Sequence, residues 1–398
     1  MGALREGRRA YRVAISGYYG FRNSGDEAVL RSIVTALREE AREAGLRVEP
    51  VVLSADPAWT KAAHGVEAAH RMRPAEVLRT LRGCDALISG GGSLLQDATG
   101  ALTIPYYTGI VGLARMLRKP VFVYAQGIGP VRRSWLRPFV RLAMNASRIV
   151  TVRDGESAAL LEQFGVARGR IEVVPDPVMG LGLPDGEAQN TGVPGGREVP
   201  AFGADAPASR AEGPTVGVSV RRWRPDGADL ERVAEALAAL VRRRPVRLRF
   251  LPMHLPDDAE ASRAVMERLA ALGCGQAAVL AEPGDDPQRM LLEVGRCSLV
   301  FGMRLHALIY AANRGVPLLG LSYDPKIDHF LARLGLKPVG TTEALDAEAF
   351  AAAADELLGP EGAAVWRERH GPAIEALRRD ARRPARLVIE ALRGRDKG

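Results

Sequence analysis

The sequence predicts an α/β protein built from two doubly wound domains, each a parallel sheet covered by helices on both faces. Short apolar strands alternate with helical patterns through the first half. The alternation stops at Leu183 to Gly213, a stretch rich in Gly, Pro, Ala and Asp, and then restarts. A chain of 398 residues is also too long for one ordinary core and long enough for two.

The first strand is Tyr11 to Ser16, followed by a loop over Gly17 to Gly25. A helix is expected to start near Ser24, with Glu27 three residues on as a capping box. Val29, Ile33, Val34 and Leu37 share one face of that helix. Val48 to Leu53 is the next strand, and Pro74 to Arg82 a short helix opened by proline. Ala86 to Ser89 is a buried strand running into Gly90-Gly-Gly92, and Val121 to Ala125 another, ending in Gln126-Gly-Ile-Gly-Pro130. Ile149 to Val152 and Ile171 to Val174 continue the series. After the break, strands are read at Thr215 to Val220, Arg247 to Leu251, Val279-Leu280, Leu299 to Gly302 and Pro317 to Leu321. Helices fall at Leu230 to Val241, Asp258 to Leu272, Pro287 to Gly295 and Arg304 to Asn313, then at Ala344 to Leu358 and Ala363 to Leu392. The expected organisation is a first domain over 1–183, a flexible linker over 184–213, a second domain over 214–360 and a C-terminal helical segment over 361–398. Ligands in such sheets bind beyond the C-terminal ends of strands, and two facing sheets predict a cleft between the domains.

Composition narrows the function. A hydrophobic fraction of 47% and a charged fraction of 26% are those of a soluble globular chain. No uncharged apolar run approaches the roughly 20 residues of a membrane span. No apolar segment follows the arginines of Met1 to Arg12, so no secretory signal is expected and the chain is placed in the cytoplasm. Cys84, Cys274 and Cys297 are odd in number and widely spaced, which argues against a disulfide framework or a zinc site. A net charge of +8 favours anionic partners. Aromatic residues are only 5% and do not interleave with the basic ones, so nucleic acid is not expected among them.

Four segments at predicted strand ends could carry chemistry. Gly17-Tyr-Tyr-Gly-Phe-Arg-Asn-Ser-Gly-Asp-Glu27 leads into a helix N-terminus able to bind an anion or polar sugar groups. In Gly90-Gly-Gly-Ser-Leu-Leu-Gln-Asp97, three glycines let backbone N–H groups approach a ligand, and Ser93, Gln96 and Asp97 can bond hydroxyls. Arg221 ends the first strand of the second half, and its planar guanidinium suits carboxylate or phosphate, whereas Arg222 and Arg224 read as solvated charges. Arg304 and His306 open a helix after Gly302, and Lys326 lies beyond the next strand. Their convergence implies an acidic ligand with more than one anionic group. His254, after a strand end, is the one histidine that competes with His306. No metal-ligand spacing and no G-x-S-x-G nucleophile turn is present, and no metal or cofactor is called for.

The first two segments, together with Tyr124-Ala-Gln-Gly-Ile-Gly-Pro and Met303-Arg-Leu-His-Ala, resemble the polysaccharide pyruvyl transferases, and within them the CsaB type that acts on secondary cell-wall polymer. The similarity covers about residues 11–183 and 214–340. It implies a GT-B-like fold of two Rossmann-like halves and transfer of pyruvate from phosphoenolpyruvate, a co-substrate, onto a sugar as a cyclic ketal. For the CsaB type the acceptor would be a terminal N-acetylmannosamine of a lipid-linked precursor, bridged between O4 and O6, in a polymer that anchors surface-layer proteins. Carried over by position, Arg221, Arg304 and Lys326 would hold the donor and His306 would be the acid/base. In the glycine loops, Asn23, Asp26, Gly91, Gly92, Ser93, Gln96 and Asp97 would face the acceptor. A lipid-linked acceptor and the +8 charge lead to an expected peripheral contact with the inner membrane face.

Two other readings compete. A GT-B glycosyltransferase using a sugar nucleotide would share the fold, but the helix at Arg304 has no early Glu or Asp to grip a ribose. A non-catalytic glycan or anionic-lipid binding protein is the second rival.

Overall fold

A computed structural model describes residues 10–98, 100–183, 213–282 and 286–394. Except for Gly213, the expected linker over 184–213 lies outside the described residues. The chain divides into two compact units. The first runs to Leu181 and also takes in the chain from Leu377 onward, while the second spans Gly182 to Ala376.

The strands of the first unit are β1 (Ala10–Ser16), β2 (Arg47–Ser54), β3 (Glu67–His70), β4 (Ala86–Gly90), β5 (Val121–Gln126), β6 (Ile149–Val152) and β7 (Ile171–Val173). They form one sheet in the order β3-β2-β1-β4-β5-β6-β7, and every neighbouring pair is parallel. β4 and β5 are buried at every position, as central strands covered on both faces must be. The β1–β4 pairing sets Ser16 opposite Ser89, so the loops after these two strands leave the sheet side by side. Strand order reverses at that point, which is where a doubly wound sheet binds its ligand.

The second unit repeats the plan with β8 (Thr215–Ser219), β9 (Arg247–Phe250), β10 (Ala278–Leu280), β11 (Leu299–Gly302), β12 (Leu318–Ser322) and β13 (Gly340–Thr341). Their order is β10-β9-β8-β11-β12-β13, again parallel throughout. Gly302 pairs with Ser219 on one side and with Gly320 on the other, so β8 and β11 end at one level and β12 runs two residues further. A core of Val216, Val218, Leu248, Phe250 and Phe301 packs against the helix Ala228–Arg243.

Several elements differ from the sequence reading. The helix Ser24–Glu43 is capped by Asn23, whose Oδ1 accepts from Gly25 N at 3.0 Å and Asp26 N at 3.4 Å. Glu27 therefore does not close a capping box; its Oε1 accepts from Gly20 N at 2.8 Å and its Oε2 lies 3.1 Å from His64 Nε2, in a fully buried pair. The helix read over Ala363 to Leu392 breaks into Gly362–Asp380 and Arg383–Arg393, with Pro384 in the first turn of the second piece. That last helix packs on Ser24–Glu43, and Arg382 is held by Glu43 at 2.9 Å and Glu40 at 3.2 Å.

Candidate active site

In the first unit the structure brings the two glycine loops together at the β1/β4 crossover. A side chain at Gly92 would place Cβ 2.9 Å from Asp26 Oδ1, so Asp26 and the Gly90–Asp97 loop share one pocket of space. Burial, and after it the Asp26 carboxylate, raises the Tyr18 phenol above its ordinary value. Gly91 has φ +48°, and a Cβ there would lie 1.9 Å from Val29 Cγ1 of the packed helix. Val29 is β-branched and cannot turn aside easily. Gly91→Ala is accordingly expected to destabilise the protein by about 1–3 kcal/mol, read as a lower urea midpoint at unchanged slope; an unchanged midpoint would contradict this packing.

The expected acceptor residues divide by what they already hold. Asn23 is the helix cap. Asp97 is buried and accepts from the backbone N–H of Arg132 at 3.0 Å and Arg133 at 2.7 Å. Burial alone would raise its carboxyl, but these bonds and the Arg133 charge outweigh it and hold it below the usual range. Its carboxylate thus fixes the loop. Ser93 Oγ lies 2.8 Å from Arg153 Nη2, and Gln96 Oε1 accepts from Ala98 N at 2.6 Å.

Three further side chains reach this edge. Arg153, directly after β6, is buried and also lies 3.4 Å from Asp176 Oδ2. Its place after a legible strand was a usable signal. Arg71, just beyond β3, donates to Gly17 O at 2.9 Å and to Tyr107 Oη at 3.1 Å, with its guanidinium 4.7 Å from the centre of the Tyr106 ring. It has no carboxylate partner among the described residues. Gln126, at the end of β5, is fully buried, and neither amide atom has a protein partner among the described residues. Buried polar atoms of that kind mark a place for a ligand or water.

In the second unit the cations predicted from sequence lie at the ends of β8, β11 and β12, and they are not equivalent. Arg221 donates from Nη1 to Tyr323 Oη at 3.3 Å and stacks against Trp223 and Tyr323 at 5.4 and 5.3 Å. Lys326 Nζ sits 5.7 Å from the centre of the same Tyr323 ring, so one aromatic side chain gathers two of the cations. Lys326 is paired with Asp324 Oδ2 at 3.0 Å. Arg304 is clamped by Asp258, with Nε 2.9 Å from Oδ2 and Nη2 on Oδ1. Asp258 is fully buried and also accepts from Met253 N and His254 N at 3.1 and 3.0 Å. Of the three cations only Arg221 lacks a carboxylate among the described residues, and its Nε is buried without a partner. Arg224 is taken up by Asp226 at 2.8 and 3.0 Å.

His306 is the second residue of the helix Leu305–Arg314. The N-cap of that helix, Arg304, supplies no side-chain acceptor, which favours an anion at the helix start. The helix contains no acidic residue. His254 has Nδ1 3.7 Å from Asp257 Oδ2. Sequence reasoning missed Asp258 as a site residue; an acid in the first turn of a helix after a strand was the available signal. Among the described residues no cluster of three or more His, Cys, Asp or Glu side chains could hold a metal ion.

Comparison with known proteins follows the same lines. A family model described as polysaccharide pyruvyl transferase matches residues 23–325. No curated protein matches the chain. Among solved structures, the chain is similar to a putative UDP-N-acetylglucosamine 2-epimerase from Listeria monocytogenes, with a TM-score of 0.62 and 16% identity over 98% of this chain and 97% of that one. It is similar to a glycosyltransferase from Rickettsia africae, with a TM-score of 0.61 and 11% identity over 96% and 97%. It is also similar to HepE from Anabaena in complex with UDP and glucose, with a TM-score of 0.59 and 14% identity over 96% and 100%. The fold is GT-B-like, with two Rossmann-like domains.

Proposed function

We propose, from the premise that this chain belongs to the polysaccharide pyruvyl transferase family, that it moves pyruvate from phosphoenolpyruvate onto a sugar as a cyclic ketal. The observation that carries this reading is the uncompensated Arg221 guanidinium, gathered with Lys326 around Tyr323 and beside the strand end that bears Arg304 and His306. Phosphoenolpyruvate is small and carries up to three negative charges, which suits a compact cationic edge better than a long nucleotide.

The chemistry needs one proton delivered and two removed. His306 protonates the methylene carbon, leaving an oxocarbenium-like C2. A sugar hydroxyl adds to C2 and loses its proton. The C2–O bond to phosphate then breaks, phosphate departs, and a second hydroxyl closes the ring with loss of its own proton. One pyruvyl ketal and one inorganic phosphate result. Arg221, Arg304 and Lys326 hold the carboxylate and phosphate, with Arg304 held in place by Asp258. In the first unit Asp26, Ser93, Gln96 and the backbone at Gly91 and Gly92 face the acceptor, while Asn23 and Asp97 shape the loops that carry them.

The acceptor in this reading is a lipid-linked glycan ending in N-acetylmannosamine, as in the CsaB type, reached by peripheral contact with the inner membrane face. Among the described residues no helix is long and apolar enough to cross a membrane. A sugar-nucleotide transferase remains the second reading because the solved relatives include sugar-nucleotide enzymes. Against it stands the helix Leu305–Arg314, which offers no carboxylate to a ribose.

Mass spectrometry of candidate acceptors incubated with phosphoenolpyruvate tests the reaction: one added pyruvyl ketal with release of phosphate supports it, and a glycosyl gain from a UDP-sugar replaces it. Removing a charge-assisted contact worth about 1.5–3 kcal/mol should weaken donor binding by about tenfold or more in Arg221→Ala and in Arg304→Ala. Calorimetry showing unchanged phosphoenolpyruvate affinity in both variants would exclude a donor site here.

A further inference from the structure

The helix Arg137–Ala146 buries Val140, Ala143 and Met144 and leaves its other side uncovered. Phe139 and Leu142, three apart, share one side of it, and Trp135, in the 3-10 turn Ser134–Leu136 just before the helix, extends that side through its contact with Phe139. Trp135, Phe139 and Leu142 are 54%, 46% and 71% exposed, and Trp135 meets Phe139 edge to face at 6.2 Å between ring centroids. The neighbouring helix Thr103–Met116 adds Met116, which is 81% exposed.

Beside the C-terminal ends of these two helices lies an open cavity of about 490 Å³ lined by Arg115, Arg118, Arg148 and Arg170. Arg170 bonds the carbonyls of Asn145 and Ser147, and none of the four arginines pairs with a carboxylate among the described residues. The stretch that carries three of them, residues 98–153, contains nine Lys and Arg and no Asp or Glu, although its Arg133 and Arg153 are paired with Asp97 and Asp176.

Two kinds of complement are needed, and few partners supply both. Exposed Leu and Met gain nothing from a dissolved anion or a polyanion backbone. A bilayer offers phosphates to the arginines and the headgroup–acyl boundary to Trp, Phe, Leu and Met. We infer that this face docks on an anionic phospholipid bilayer, with Trp135, Phe139 and Leu142 inserted at headgroup depth and the arginine-lined cavity seating lipid phosphates. The helix begins next to the glycine loop of the candidate acceptor site, because Asp97 accepts from the N–H groups of Arg132 and Arg133. Docking therefore holds that loop near the surface where a lipid-linked acceptor resides. The docking itself does not depend on the pyruvyl reaction; only this link to the acceptor rests on the proposed function.

The test is co-sedimentation of the full chain with phosphatidylcholine vesicles, with and without phosphatidylglycerol. Binding is expected only with the anionic lipid and should fall as salt rises. The double variants Phe139→Ser/Leu142→Ser and Arg115→Glu/Arg118→Glu should each weaken it by about tenfold or more. The same charge change on an exposed helix of the second unit, Arg263→Glu/Arg268→Glu, should leave it within about twofold. Vesicles should also shift Trp emission to the blue in the wild type and not in Trp135→Phe. Equal loss in both Glu pairs overturns the proposal in favour of diffuse charge. Full binding by the Ser pair, or displacement from vesicles by inorganic phosphate, overturns it in favour of a soluble-anion site, and stronger retention by RNA than by vesicles overturns it in favour of a polyanion. Thermal midpoints and turnover on a soluble acceptor, expected to be unchanged in the Ser pair, separate lost docking from lost folding. If even the wild type shows no turnover, the reaction is wrong while the vesicle result stands.

Discussion

Replacing His306 with glutamine is expected to lower kcat by about 10²–10⁴-fold while phosphoenolpyruvate still binds. The residue stands at the start of a helix whose N-cap is Arg304, the proposed donor ligand, on the strand end between those carrying Arg221 and Lys326. In the first helical turn, residues two apart do not face the same way. In the proposed reaction Arg304 therefore holds the donor while His306 addresses the methylene carbon. His254 is the competitor. Its backbone N–H is fixed by Asp258, but its ring is only partly enclosed and leans toward Asp257. Near-normal turnover in His306→Gln with loss of turnover in His254→Gln would move the acid to position 254.

Asp258→Ala should destabilise the protein by about 3–5 kcal/mol, because it strips the partner from a largely enclosed guanidinium and leaves a charge without compensation. The same carboxylate accepts from Met253 N and His254 N, so the loop after β9 loses its anchor as well. Chemical denaturation should show a lowered midpoint at unchanged slope. Asp258→Asn keeps the shape and part of the hydrogen bonding but not the charge, and should fall between the wild type and the alanine variant. An unchanged midpoint in Asp258→Ala would mean that Arg304 finds another partner at little cost.

What was legible in the sequence follows from what makes a local signal. β4 and β5 were plain because a strand buried on both faces is a run of apolar residues bounded by turns. β3 is Glu-Ala-Ala-His and β13 only Gly-Thr, so neither carries an apolar pattern, and both are strands only because a neighbour pairs with them. The helix Thr103–Met116 escaped for a related reason: Gly, Pro and Tyr interrupt its apolar residues, and its burial comes from the sheet it covers. Helix capping shows the limit of spacing rules. Ser24 and Glu27 fit a capping box, yet Asn23 takes the cap and Glu27 turns to His64, a partner 37 residues away.

The site follows the same division. Arg221, Arg304, His306 and Lys326 could be placed because strand ends and helix starts are local properties. Which cation is neutralised is a tertiary matter: Asp258 meets Arg304 across 46 residues and leaves Arg221 as the uncompensated charge. Arg71 was illegible because the strand that delivers it was. Arg153 was readable, since it follows a recognisable strand, but nothing local shows that it reaches Ser93.

The first unit draws its last helix from the far end of the chain, since Arg383–Arg393 packs on Ser24–Glu43 and Arg382 pairs with Glu40 and Glu43. The second unit is one continuous stretch. During synthesis the usual order is thereby reversed. The unit begun first cannot close until the segment from Leu377 to Arg393 has left the ribosome, whereas the unit begun second has all its parts once Ala376 is out. For that interval the apolar face of Ser24–Glu43 that receives the last helix stands open, which makes it the surface most in need of a chaperone.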